Sequence, residues 1–177
     1  MRRGTILAIM AVTAGLADVP AAELDEYQAK AAFLYNFAKF VEWPAGSFTA
    51  GAESVGICLL GQTPIGTTLA LAVRNKQIDG RGFVVRQITD TKQMTGCHLL
   101  FVTGGALKHY RTLRGELNGL TGLLVVGESE GFAAEGGVMN FKLEGGRLRI
   151  EVNLAEARRE RLVINSRLLG MADVVGR

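Results

Sequence analysis

Four short apolar runs, set apart by stretches with helical spacing, constrain this chain more than any other feature. Val55-Gly56-Ile57-Cys58-Leu59-Leu60, then residues 82–88, 98–102 and 122–127, are apolar almost throughout, and each is only five to seven residues long. Runs of that length bounded by glycine read as strands buried on both faces. Between them, residues 64–74 and 107–118 carry helical periodicity, with Leu107, Tyr110, Leu113, Arg114 and Leu117 in the second. Pro64 suits a first helical turn. Buried strands alternating with helices predict an α/β fold, a mostly parallel sheet flanked by helices.

The pattern changes after residue 138. Residues 139–143 and 148–152 alternate apolar and polar around Gly145-Gly146, which predicts an antiparallel hairpin with one wet face. Met139, Phe141 and Leu143 fall opposite Val152, Ile150 and Leu148 on the buried side. Asn140 falls opposite Glu151 on the other. Asn153 is placed to cap a helix running through Glu156, Arg158, Arg159 and Arg161. Val163-Ile164 extends briefly, and residues 166–172 form a last short helix.

At the other end, residues 23–43 read as one helix. Tyr27, Ala31, Leu34, Ala38 and Val41 form one apolar stripe, and Phe33, Phe37 and Phe40 a second. So wide an apolar surface is either core or interface. We expect the Phe stripe to face a second copy or a partner. Trp43-Pro44 ends the helix, because a residue before proline leaves the helical region.

The first seventeen residues stand apart. Arg2 and Arg3 precede an apolar or small-residue run from Thr5 to Leu16, and Gly15-Leu16-Ala17 offers the small residues of a cleavage site. This reads as a secretory signal peptide over residues 1–17, cleaved as late as residue 22 in the alternative. The run is too short to span a bilayer. Residues 23–177 are then a single domain in a periplasm-like, oxidising compartment. The whole chain has 177 residues and a formal net charge of +3. Without the leader that falls to +1 or +2, which disfavours nucleic acid as a partner.

Little in the chain offers catalysis. The loop Gly61-Gln62-Thr63-Pro64-Ile65-Gly66-Thr67-Thr68 has phosphate-loop glycine spacing, but Thr67 stands where the lysine belongs. Gly61 and Thr63, with Gly104 and Gly105 after a later strand, still border a candidate ligand crevice at the carboxyl ends of parallel strands. The two histidines, His98 and His109, and two cysteines lack the spacing of a metal site. A strand would turn Cys97 and His98 to opposite faces, which does not suit a nucleophile and its base. Glu128 with Glu130, and Glu151 with Glu156, read as carboxylates on wet faces, and residues 158–161 as a solvated helix face. We therefore expect no enzyme, no metal and no cofactor.

Cys58 and Cys97 are the only cysteines, and in an exported chain they favour a disulfide. Closing a loop of about 39 residues between them constrains the unfolded state by about 4 kcal/mol. One geometric point opposes the bond. Cys58 comes late in its strand and Cys97 early in its own, so strands in register would hold them at different heights. The bond requires Cys97 to lie in the approach to its strand, or a staggered register.

Several of these segments together resemble the YfiR family. They are Ala32-Phe33-Leu34-Tyr35-Asn36-Phe37 through Phe40-Val41-Glu42-Trp43-Pro44, Gly131-Phe132 leading into Met139-Asn140-Phe141, Ile150-Glu151-Val152-Asn153-Leu154, and Ile164-Asn165-Ser166-Arg167-Leu168-Leu169. The resemblance implies a periplasmic α/β regulator, often dimeric. Such a protein represses a membrane-bound diguanylate cyclase by contacting its periplasmic domain, which lowers cyclic-di-GMP output, and an outer-membrane lipoprotein acts as sequestering partner. Family members with four cysteines carry a second disulfide before the hairpin; this chain has Phe132 and Met139 in that stretch and no cysteine. We expect function to reside in two surfaces. One is Phe33, Phe37 and Phe40. The other is the wet face of the hairpin with the following helix, where Asn140, Glu151 and Arg158 meet a partner or a small ligand. The rival reading is a periplasmic small-ligand-binding module that uses the crevice and feeds a membrane sensor such as a histidine kinase.

Overall fold

Each predicted run becomes a strand of one seven-stranded sheet, but the run at 82–88 lies at the sheet edge and is mostly half-buried, with Val84 exposed, rather than buried on both faces. The computed structural model describes residues 21–48, 54–117 and 121–176. The predicted leader, residues 1–17, lies outside them. In chain order the elements are α1 (Ala21–Phe40), β1 (Val41–Glu42), β2 (Ser54–Leu60), α2 (Ile65–Val73), β3 (Gly82–Ile88), β4 (Leu99–Val102), α3 (Leu107–Leu117), β5 (Leu124–Gly127), β6 (Met139–Glu144), β7 (Arg147–Asn153), α4 (Leu154–Arg159), β8 (Val163–Ile164), α5 (Ser166–Leu169) and β9 (Asp173–Val175). The main sheet runs β3-β2-β4-β5-β6-β7-β9, and β1 pairs with β8 in a separate antiparallel ribbon. Only β6 and β7 are antiparallel within the main sheet. Among the described residues no helix is long and apolar enough to cross a membrane.

Successive strand residues point to opposite faces, so two cores form. On one face Ile57, Leu59, Leu99, Phe101, Leu124, Val126, Met139 and Phe141 pack under α1 and α2. On the other, Cys58, Leu60, Leu100, Val102 and Val125 pack under Tyr110, Leu113 and Leu117 of α3 and under Phe132. A side chain at Gly127 would collide with the Phe132 ring. Glycine there lets the loop after β5 close over the sheet.

Several boundaries move. The first helix stops at Phe40 and not at residue 43, because Val41↔Ile164 and Glu42↔Val163 recruit the chain into β1. The helix capped by Asn153 ends at Arg159 and does not reach Arg161, which turns back with φ 57°. The last helix ends at Leu169, and β9 follows, a strand absent from the sequence reading. The hairpin register is the predicted one, Asn140↔Glu151 and Phe141↔Ile150 included. Its faces are not. Leu143 is 62% exposed although predicted buried. The reason is length: β5 pairs with β6 only at Met139 and Asn140, so the outer half of the hairpin projects past the sheet.

Candidate functional site

The register Leu60↔Val102 and Val102↔Gly127 sets the carboxyl ends of β2, β4 and β5 side by side. The residues that follow, Gly61, Thr103 and Glu128, therefore meet in one row. Thr63, Gly104 and Gly105 line a cavity of about 430 Å³ there with Glu26, Lys30 and Glu128. Gly61 does not line it and instead packs against Thr103, where a side chain would collide.

This crevice carries its own ions. Lys30 of α1 is 6% exposed, and its Nζ lies 2.7 Å from Glu128 Oε2 and 2.5 Å from Glu26 Oε1. Burial works against the ammonium charge, but the bonds it donates to Glu128 and Glu26 outweigh it and raise the Lys30 pKa. The second Glu128 oxygen accepts from Gly104 N–H at 2.9 Å. This main-chain donor beside the crevice is thus held by an internal carboxylate. Glu128, read as a wet-face carboxylate, is a half-buried ion-pair partner.

The disulfide forms between Cys58 and Cys97, with Cα atoms 5.8 Å apart. Cys58 pairs in register with Leu100, and Cys97 lies ahead of β4, in the approach. A side chain at Gly56 would collide with the Gly96 carbonyl, so glycine permits that close approach. Arg86 on the neighbouring strand donates toward both sulfurs, each at 3.4 Å, and to Thr95 O. His98 follows. Its Nδ1 accepts from Gly56 N–H at 2.9 Å, so Nε2 carries the proton and donates to Ser47 O at 3.1 Å. Burial foremost lowers its pKa; the Ser47 bond resists, and Arg81 and Arg86 add to the lowering. This is a satisfied structural histidine.

The two predicted docking surfaces fare differently. Phe37 is 0% exposed and stacks on Phe141 with ring centroids 5.4 Å apart. It is core, not interface. Phe33 and Phe40 are half-buried against the same core. On the hairpin, Asn140 is 1% exposed and not wet, because the loop carrying Ser129 covers it. Its Nδ2 donates to Ser129 O at 2.9 Å and to Glu151 Oε2 at 3.0 Å. Glu151 is half-buried, and Arg158 is exposed on α4. Among the described residues no hydrogen bond joins Arg158 to that pair. Glu160, assigned to a solvated face, is buried. Burial raises its pKa against the bond from Leu123 N–H.

Sequence reasoning missed Lys30 as a site residue. Its signal was a lone cation amid apolar residues, four positions after Glu26. Glu130, read as a carboxylate on a wet face, is exposed. Among the described residues no group of His, Cys, Asp or Glu is gathered to hold a metal ion.

Comparison with known proteins gives one family and a distant structural likeness. The model of the YfiR/HmsC-like family matches residues 27–173. No curated protein matches the chain. An ABC domain from Streptococcus pneumonia, crystallised in complex with L-Trp, is similar in fold at TM-score 0.51 and 9% identity, over 84% of this chain and 60% of that one. A conserved domain protein from Vibrio cholerae O1 biovar El Tor gives TM-score 0.47 and 8% identity, over 84% and 59%. The chain therefore spans about 60% of the length of these structures.

Proposed function

Because the chain belongs to the YfiR/HmsC-like family, we propose that it is a periplasmic signalling regulator that acts by protein contact. In this reading residues 1–17 are a leader cleaved on export, and residues 23–177 are one domain that represses a membrane-bound diguanylate cyclase through its periplasmic part. Cyclic-di-GMP output falls while the two are bound. An outer-membrane lipoprotein competes for the regulator, and the regulator itself is a homodimer. No catalytic chemistry is assigned to it.

The family match over residues 27–173 is the observation that carries this reading. The projecting hairpin supports it, since Leu143 at its outer end offers apolar surface next to charged residues. The ligand-module reading is weakened by the crevice, whose Lys30 and Gly104 N–H are already engaged by Glu128.

The test is co-purification of the exported chain with the periplasmic domain of a membrane-bound diguanylate cyclase from the same cells, with cyclic-di-GMP measured in cells lacking the regulator. Complex formation and a raised nucleotide level are expected. Absence of any complex, with an unchanged nucleotide level, overturns the reading.

A further inference from the structure

Glu128 borders two cavities. Beyond the crevice, a groove of about 510 Å³ runs between the loop after β5 and the outer half of β6, lined by Glu128, Glu130, Asn140, Lys142, Leu143 and Glu151. Three independent features of this groove point to the same kind of occupant.

The first is an open sheet edge. β7 pairs with β6 out to Glu144, whereas β5 stops at the pair Gly127↔Asn140. Gly145 and Gly146 both have positive φ, at 56° and 74°, as a two-residue hairpin turn requires. In such a hairpin the closing pair exchanges both main-chain bonds and the pairs alternate from there. Leu143 is then left with its N–H and C=O turned away from β7, on the side where β5 has ended. An edge of this kind accepts an added strand.

The second is charge. Glu130 is exposed and Glu151 half-buried, and among the described residues neither has a cationic ion-pair partner. Glu128 is matched by Lys30. Lys142, the one ammonium in the lining, lies 3.6 Å from Glu144 and so leans toward the turn.

The third is an unmet acceptor. Both partners of Asn140 Nδ2 are acceptors, which fixes the amide nitrogen at that end. Asn140 Oδ1 is buried and receives no donor. An orphaned buried acceptor costs free energy that an incoming N–H recovers. A donor reaches it by displacing lining side chains, of which Glu130, Lys142 and Leu143 are exposed.

We propose that this groove receives an extended segment of the partner protein bearing an arginine. The segment lies along β6 at Leu143, and its guanidinium bonds Glu151 and Asn140 Oδ1. Arginine fits better than lysine, since its planar fork of five donors spans a carboxylate and an amide oxygen together. The inference takes its partner from the regulator reading, but the groove can be tested without that partner.

The test titrates the exported, disulfide-bonded chain with the blocked peptide Ac-Val-Thr-Arg-Val-Thr-NH2, its Arg→Glu counterpart and free L-arginine, followed by amide chemical shifts. Shifts confined to residues 130, 140–144 and 151 with the arginine peptide alone are expected. Glu130→Lys, on an exposed loop, weakens binding at least tenfold, Glu151→Gln does likewise, and Lys142→Glu tightens it severalfold. Equal response to both peptides, equal response to free arginine, or shifts away from the groove overturns the proposal. If Glu130→Lys captures the cyclase domain as well as the unaltered chain does, the groove is excluded while the regulator reading stands. If the unaltered chain captures nothing, the regulator reading fails and the peptide titration decides the groove.

Discussion

Lys30 Nζ lies 2.7 Å from Glu128 Oε2 across 98 positions of sequence, with the ammonium almost wholly out of water. The pair pins α1 to the carboxyl ends of the parallel strands. Its second carboxylate oxygen holds the Gly104 amide, so one bond network closes the crevice from both sides.

Removing one partner strands the other. Lys30→Met should destabilise the domain by about 3 kcal/mol, the usual effect of leaving a buried charge unpaired. Lys30→Met with Glu128→Gln should recover part of that loss. Urea unfolding of both variants checks this, and additive losses would show that the two residues are not coupled.

The disulfide should account for a large share of stability. Replacing both cysteines by alanine should cost about 4 kcal/mol for a closed loop of this length, read as a drop in the urea midpoint. Gly56→Ala, at the close approach to Gly96, should be destabilising even with the bond intact. Thiol titration under denaturing conditions, before and after reductant, checks the bond itself.

Acidification should weaken the fold through His98. Its folded pKa lies below the ordinary value near 6.5, mainly because burial disfavours the imidazolium. The unfolded chain therefore binds the proton first. Stability from this group is present above the unfolded value and is lost as pH falls toward the folded one. Glu160 works oppositely. Burial raises its pKa, and its contribution is lost as pH rises through the carboxylate range. Chemical denaturation at pH 7.5 and 5.5 should show a loss on acidification that His98→Asn reduces; an equal loss in both would remove His98 as the cause.

Phe37 and Leu143 should separate folding from docking. Phe37→Ala empties a fully buried site and should cost roughly 3–5 kcal/mol. Leu143→Glu, at an exposed tip, should stay within about 0.5 kcal/mol of the unaltered chain while weakening capture of the cyclase domain. Thermal melts read beside a pull-down distinguish the two.

The four apolar strands, their helices, the Gly145-Gly146 hairpin and the Asn153 cap were legible because each has a local signature: an apolar run, a turn pair or a capping side chain. α1 was legible as a helix but not in its orientation. Apolar residues surround most of its circumference, so the sequence could not say whether Phe37 met a partner or Phe141. The end of α1 shifted because β8 draws Val41 and Glu42 into a ribbon, and α4 stops short where Arg161 turns back with a positive φ.

By itself the sequence determined the α/β class, the hairpin register and the presence of two cysteines suited to a bond, since these depend on periodicity and residue type. Tertiary structure alone decided that Lys30 meets Glu128, that Cys97 approaches Cys58 from outside its strand, and that Asn140 is buried beneath the loop carrying Ser129. The physical reason is strand length. β5 is four residues long and β6 six, and only when they are laid side by side does the mismatch leave β6 with an open edge and an acidic groove beside it.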